Sequence, residues 1–127
     1  MRKMLLLTLP LALAGCETWG PTWSEVTGAR WFHTEMNRRP AIIERVDNVS
    51  PLSGAPIKME PGRRVLEVRG PDPQRPGGGT RQSFVIDAEP CKRYYVNAQF
   101  TSPITPEWTP VIDYVEVIAG CKIVATP

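Results

Sequence analysis

Past residue 28 the chain alternates between apolar and polar positions in short runs. Ala29, Trp31 and His33 stand against Arg30, Phe32 and Thr34, a period of two that predicts a strand. A helix from Ser24 to Asn37, capped by Ser24, competes with it but carries Gly28 in its middle. Ala41 to Val46 is a clearer strand, closed by the turn residues Asp47-Asn48. Ile57-Lys58-Met59 alternates, and Glu60-Pro61-Gly62-Arg63 places proline and glycine at the centre of a type II turn. In Arg64 to Arg69, Leu66 and Val68 share a face with Arg64, against Val65, Glu67 and Arg69, so these two segments predict a hairpin. Gln82 to Ala88 is the next strand. Cys91 to Phe100 follows, with Tyr94, Val96, Ala98 and Phe100 on one face and Arg93, Tyr95, Asn97 and Gln99 on the other. Val111 to Ile118 sets valines 111, 115 and 117 against Ile112, Tyr114 and Ile118; Asp113 interrupts the first set and Glu116 the second. Gly70 to Thr80 holds three prolines and four glycines, which makes it a loop at one end of the domain.

Residues 1–15 follow another rule. Arg2 and Lys3 precede an apolar stretch from Met4 to Leu13, broken by Thr8 and Pro10. About ten residues are too few to cross a bilayer core as a helix, which takes about 20, but they suit an export signal. Leu13-Ala14-Gly15-Cys16 comes next, and this tetrapeptide resembles the lipobox of bacterial lipoproteins. The resemblance implies cleavage before Cys16, a covalent lipid on its sulfur, and a mature chain of 112 residues. Several acyl chains, each worth about 0.8 kcal/mol per buried CH₂, then hold the protein on a membrane. Glu17 stands where an aspartate marks inner-membrane retention in the best-known sorting system, which points to the outer membrane, facing the periplasm. Residues 16–28 then read as lipidated N-terminus and tether, with residues 29–127 as the domain. Trp19 and Trp23 suit either the headgroup layer or a return onto the domain.

Setting the signal aside changes the composition. The remainder keeps 8 isoleucines and 11 valines but only two leucines, Leu52 and Leu66. β-Branched side chains lose freedom in a helix and pack well on a pleated sheet, and 13 prolines argue the same way. The fold expected is all-β, a small β-sandwich of about six or seven strands. Charge changes too: Arg2 and Lys3 leave with no acid, so 13 basic residues face 13 acidic ones. Arg63, Arg64, Arg69, Arg75, Arg81, Lys92 and Arg93 form a loose central group, but Glu60, Glu67, Asp72, Asp87 and Glu89 lie among them. Nucleic acid is not an expected partner, because it selects a clustered basic surface. Gly77-Gly78-Gly79 runs into a strand, with no lysine-hydroxyl pair opening a helix, so it does not form a phosphate cradle.

Two cysteines remain. If residues 92–100 and 111–120 form an antiparallel hairpin centred near Pro106, opposite residues have numbers summing to about 212, and Cys91 and Cys121 meet that sum. An exported chain lives where disulfides form, so these two are expected to pair.

A second resemblance joins Val46-Asp47-Asn48, Ala55-Pro56-Ile57 and Glu60 to Val68. Together they are similar to the PEGA-type β-sandwich repeat of bacterial envelope proteins, which pairs a Val-Asp-Gly turn with a Pro-Gly-His turn and a Val-x-Val strand. Asn48 replaces that glycine and Arg63 that histidine. The resemblance implies an immunoglobulin- or transthyretin-like sandwich and no particular chemistry.

Catalytic patterns are thin. His33 is the sole histidine, which excludes a multi-histidine metal site, and no serine sits in a nucleophile elbow. Asp113 with Glu116 and Asp87 with Glu89 are paired carboxylates; the second pair falls on one face of a strand about 7 Å apart, a separation glycosidases also use, yet it sits just before Pro90 at a strand end, where solvated charges are ordinary. No catalytic or metal-ligating residue is singled out, no cofactor beyond the lipid on Cys16 is expected, and the chain does not read as an enzyme. Two binding roles remain. One is a lipid-anchored structural or interaction module for another envelope protein, with Trp108 as an aromatic anchor. The other is a glycan or peptidoglycan binder that uses Trp108, Tyr95 and Asn97 as a stacking and hydrogen-bonding platform.

Overall fold

The computed structural model describes residues 21–30, 35–51, 56–72, 75 and 79–123. The expected export signal, the lipobox-like tetrapeptide with Cys16, Trp19, the 31–34 end of the first expected strand with His33, and Gly77-Gly78 lie outside them.

Among the described residues all regular structure is strand: β1 (Ser24–Thr27), β2 (Arg38–Pro40), β3 (Ile42–Val46), β4 (Ile57–Met59), β5 (Gly62–Arg69), β6 (Arg81–Ala88), β7 (Lys92–Phe100) and β8 (Trp108–Val117). A five-stranded sheet is built around β7, and β3-β5-β6 form a three-stranded antiparallel sheet against it. The expected all-β sandwich is what is found, with eight strands. β7 pairs with β8 along its whole length on one side; on the other it pairs first with β1, in parallel, and then with β2. β2 is an edge strand that ends on Pro40, a position where a missing backbone N–H costs no ladder bond.

Alternation decides which side chains meet. Tyr94, Val96, Ala98 and Phe100 of β7 face Leu66 and Val68 of β5 and Ile86 and Ala88 of β6 in one core that also takes in Val26, Ile43, Met59 and Trp108. The Tyr94 hydroxyl is satisfied inside it, accepting from the backbone N–H of Glu89 at 2.8 Å. The expected turn at Asp47-Asn48 is tight: both residues take positive φ, 49° and 65°, while Val46 and Val49 exchange backbone hydrogen bonds of 3.0 Å. This is the two-residue hairpin geometry that asparagine tolerates well.

Four expectations are corrected. The tether stops short of Gly28, because Ser24–Thr27 form a strand buried along its whole length between β7 and β4. Four residues covered on both faces carry no alternation to read. Second, β4 and β5 are not a hairpin. β4 pairs with β1, and the chain swings at Gly62, φ 112°, into the other sheet. Third, the β7–β8 ladder runs from Lys92↔Val117 to Phe100↔Trp108, sums of 209 and then 208, and not 212. Fourth, the step between those sums is a bulge at Asp113, and it switches the parity of β8. Ile112, Val115 and Val117 therefore share the inner side, while Val111, Tyr114 and Glu116 share the outer one.

Candidate interaction surface

Cys91 and Cys121 are bonded, with their Cα atoms 5.4 Å apart. They lie beyond the ladder: Cys91 has φ 61°, Gly120 has φ 81°, and the turn at Ala119-Gly120 supplies the extra length that brings Cys121 back. The N-terminal segment is tied to the same place. The backbone N–H of Cys91 donates to the Trp23 carbonyl at 2.8 Å, that of Lys122 to the Pro21 carbonyl at 2.9 Å, and the Thr22 hydroxyl to the Lys122 carbonyl. Trp23 thus returns onto the domain, with the Lys58 ammonium 4.6 Å from its ring centre.

Trp108, Tyr95 and Asn97 do not form an exposed platform. Trp108 is 6% exposed, packs face-on against Gly70 and donates its indole N–H to the Thr80 hydroxyl at 2.7 Å. A Cβ at Gly70 would fall 2.5 Å from the ring, so glycine is what admits the indole. Asn97 lies on the opposite side of the sheet and is fully buried. Its amide donates to the Gly28 and Ala29 carbonyls, fixing the chain where it leaves β1. Tyr95 also lies there, bound to Glu116.

That outer side of the larger sheet carries a network of charges. Arg93 reaches Glu25 at 2.6 Å and Glu116 at 2.8 Å, and the Tyr95 hydroxyl donates to the same Glu116 oxygen at 2.7 Å. The Tyr95 hydroxyl, supported by Arg93, holds the Glu116 carboxyl below its usual range despite partial desolvation. Burial, reinforced by the Glu116 carboxylate, pushes the Tyr95 phenol up. Burial also works against the Arg93 charge, but Glu25, Tyr95 and Glu116 outweigh it and hold the guanidinium above its usual value.

Both bulges put an acid beside arginines. Asp113 meets Arg38 at 2.8 Å, and Glu44, the extra residue of the β3–β5 bulge, binds Arg69 and Arg81 through its two oxygens. Asp113 and Glu116 therefore each have an arginine partner, Arg38 and Arg93. Among the described residues no group of three or more His, Cys, Asp or Glu side chains is arranged to hold a metal ion.

What this arrangement leaves open is an edge. Among the described residues β8 pairs only with β7, so its other side presents backbone donors and acceptors. The smaller sheet does not extend under this end of β8. As a result the inward-facing Ile112, Val115 and Val117 are 42%, 39% and 68% exposed, with Tyr114 at 36% on the other side. Pro110 and the bulge at Asp113 interrupt the first half of the strand, leaving residues 115–117 as its regular run along that edge. Sequence alternation pointed to these side chains but could not show which face lacked cover. A groove of about 620 Å³ walled by Val46, Val49, Ile57 and Met59 has the Asp47–Arg64 ion pair on its lining. No family model matches the chain, and neither a curated protein nor a solved structure matches it.

Proposed function

We propose that the chain is a lipid-anchored lipoprotein of the cell envelope, held through Cys16, whose β-sandwich binds a strand of another envelope protein along β8. The lipobox at Leu13-Ala14-Gly15-Cys16 supports the anchor, and a disulfide is in keeping with an exported domain. The observation that carries the binding role is the open edge of β8. It combines a strand side that no other described strand covers with the exposed Val115 and Val117, the two requirements for strand addition, in which main-chain hydrogen bonds give affinity and alternate side chains give selectivity. The outer membrane, facing the periplasm, is the location this reading takes.

Crosslinking and mass spectrometry on intact cells producing the full-length protein test it, beside Cys16→Ala and a Val115→Lys/Val117→Lys double variant. The reading expects one reproducible protein partner, lost in both variants. A partner unaffected by the lysines would remove β8 as its site. No protein partner, with retention on isolated cell wall, would favour the glycan-binding alternative, for which Trp108, Tyr95 and Asn97 form no exposed platform.

A further inference from the structure

We infer that the disulfide end of the sandwich is the end that faces the bilayer, with the Gly70–Thr80 end turned away. This rests on the lipid-anchor reading above. Only Glu17, Thr18, Trp19 and Gly20 separate Cys16 from Pro21, and Pro21 is already hydrogen-bonded to Lys122 beside the disulfide. A five-residue step reaches at most about 18 Å when fully extended. β8 alone, at about 3.4 Å per residue, is close to twice that length. The point where the chain leaves the domain is therefore held near the headgroups, and the exit cannot swing because Pro21 and Thr22 are hydrogen-bonded to Lys122 and Trp23 to Cys91.

The side chains at this end fit that position. Lys58, Lys92 and Lys122 are the only lysines outside the export signal, and all three are here. Lys58 stacks on Trp23, Lys92 follows Cys91, and Lys122 follows Cys121 and bonds Pro21. Ile123 beside them is 72% exposed. Long ammonium side chains next to apolar ones match a headgroup layer, where the stem is buried and the charge stays among phosphates. Glu60 and Glu89 reach the same end, since Met59 pairs with Ser24 and the Ser24 hydroxyl donates to the Glu89 carbonyl. The short tether, more than net charge, sets the orientation.

The test uses the full lipidated protein on vesicles of phosphatidylethanolamine and phosphatidylglycerol. It is compared with a version carrying about twenty Gly and Ser residues between Gly20 and Pro21, a flexible coil adding about 25 Å of mean reach. Lysines are labelled with a membrane-impermeant acylating reagent and arginines with phenylglyoxal, both read by mass spectrometry. Lys58, Lys92 and Lys122 are expected to label several-fold more slowly in the native-length protein than in the lengthened one, with Arg30 and Arg75 at the far end unchanged. Equal lysine rates in two proteins that both carry the lipid and float with the vesicles would overturn the orientation and leave the anchor standing. Slowing at Arg30 and Arg75 would also overturn it. A Cys16 peptide without acyl mass would remove the anchor, and the orientation with it.

Discussion

Glu116 is held as a carboxylate by the Tyr95 hydroxyl and the Arg93 guanidinium, and Asp47 by the Val65 backbone N–H and then Arg64. Both groups titrate lower in the folded chain than in the unfolded one, so the unfolded state binds protons first as pH falls. Their contribution is complete above the ordinary values of 4.5 and 3.8 and is lost as pH drops through the lower folded values. The urea midpoint is therefore expected to stay level from neutrality to about pH 5 and to decline below it. Glu116→Gln and Asp47→Asn together should flatten that decline while lowering the neutral midpoint. An unchanged acid slope in the double variant would mean that other carboxylates govern it. Tyr95 gives the opposite arm: its phenol is raised, so its contribution holds below 10.0 and fades as pH rises above it. At this scale the sequence was partly legible. Strict alternation in β7 separated Tyr94, Val96, Ala98 and Phe100 from Arg93 and Tyr95 correctly. Trp108, between Thr105-Pro106 and Pro110, has no local period, and its inward side is decided by pairing with Phe100 across the hairpin.

The β7–β8 hairpin shows how an element can be right for an incomplete reason. A uniform register placed Cys91 opposite Cys121. The ladder instead runs three or four residues out of that register, and the turn at Ala119-Gly120 makes up the difference. A bulge has no sequence mark of its own; Asp113 shows as a polar residue on an apolar face, and its contact with Arg38 of β2 shows where it points. The bond closes a loop between residues 30 apart in sequence, for which the chain-entropy treatment gives about 3 to 4 kcal/mol. Cys91→Ser with Cys121→Ser should lower the free energy of unfolding by about that amount, measured by urea titration at neutral pH. A loss well below about 1 kcal/mol would show that the Pro21, Trp23 and Lys122 hydrogen bonds already hold this end without it.

Across the whole molecule, the boundary between tether and domain is where sequence and structure part most. Composition around Gly20, Pro21 and Gly28 reads as a linker, yet Val26 is fully buried, and Gly28 lies so close to Ala41 that a Cβ there would fall 1.7 Å from its carbonyl oxygen. β1 is short, but it is the strand through which β4 joins β7, and it supplies the parallel pairs Glu25↔Arg93, Val26↔Tyr94 and Thr27↔Tyr95. Removing it would strip β4 of its partner, uncover Tyr94 and Met59, and leave Arg93 without Glu25. The loss combines a buried valine, worth about 1.5 to 3 kcal/mol, with a broken ion pair and two unpaired strand edges, against a total stability of about 5 to 15 kcal/mol for a typical domain. A chain beginning at Pro21 is therefore expected to unfold cooperatively, at the same urea midpoint as one beginning at Cys16, and a chain beginning at Ala29 to show no cooperative transition. Cooperative unfolding of the shorter chain would make β1 an appendage. A β1 built into the larger sheet instead ties the N-terminal segment directly to β7, the strand that also pairs with β8.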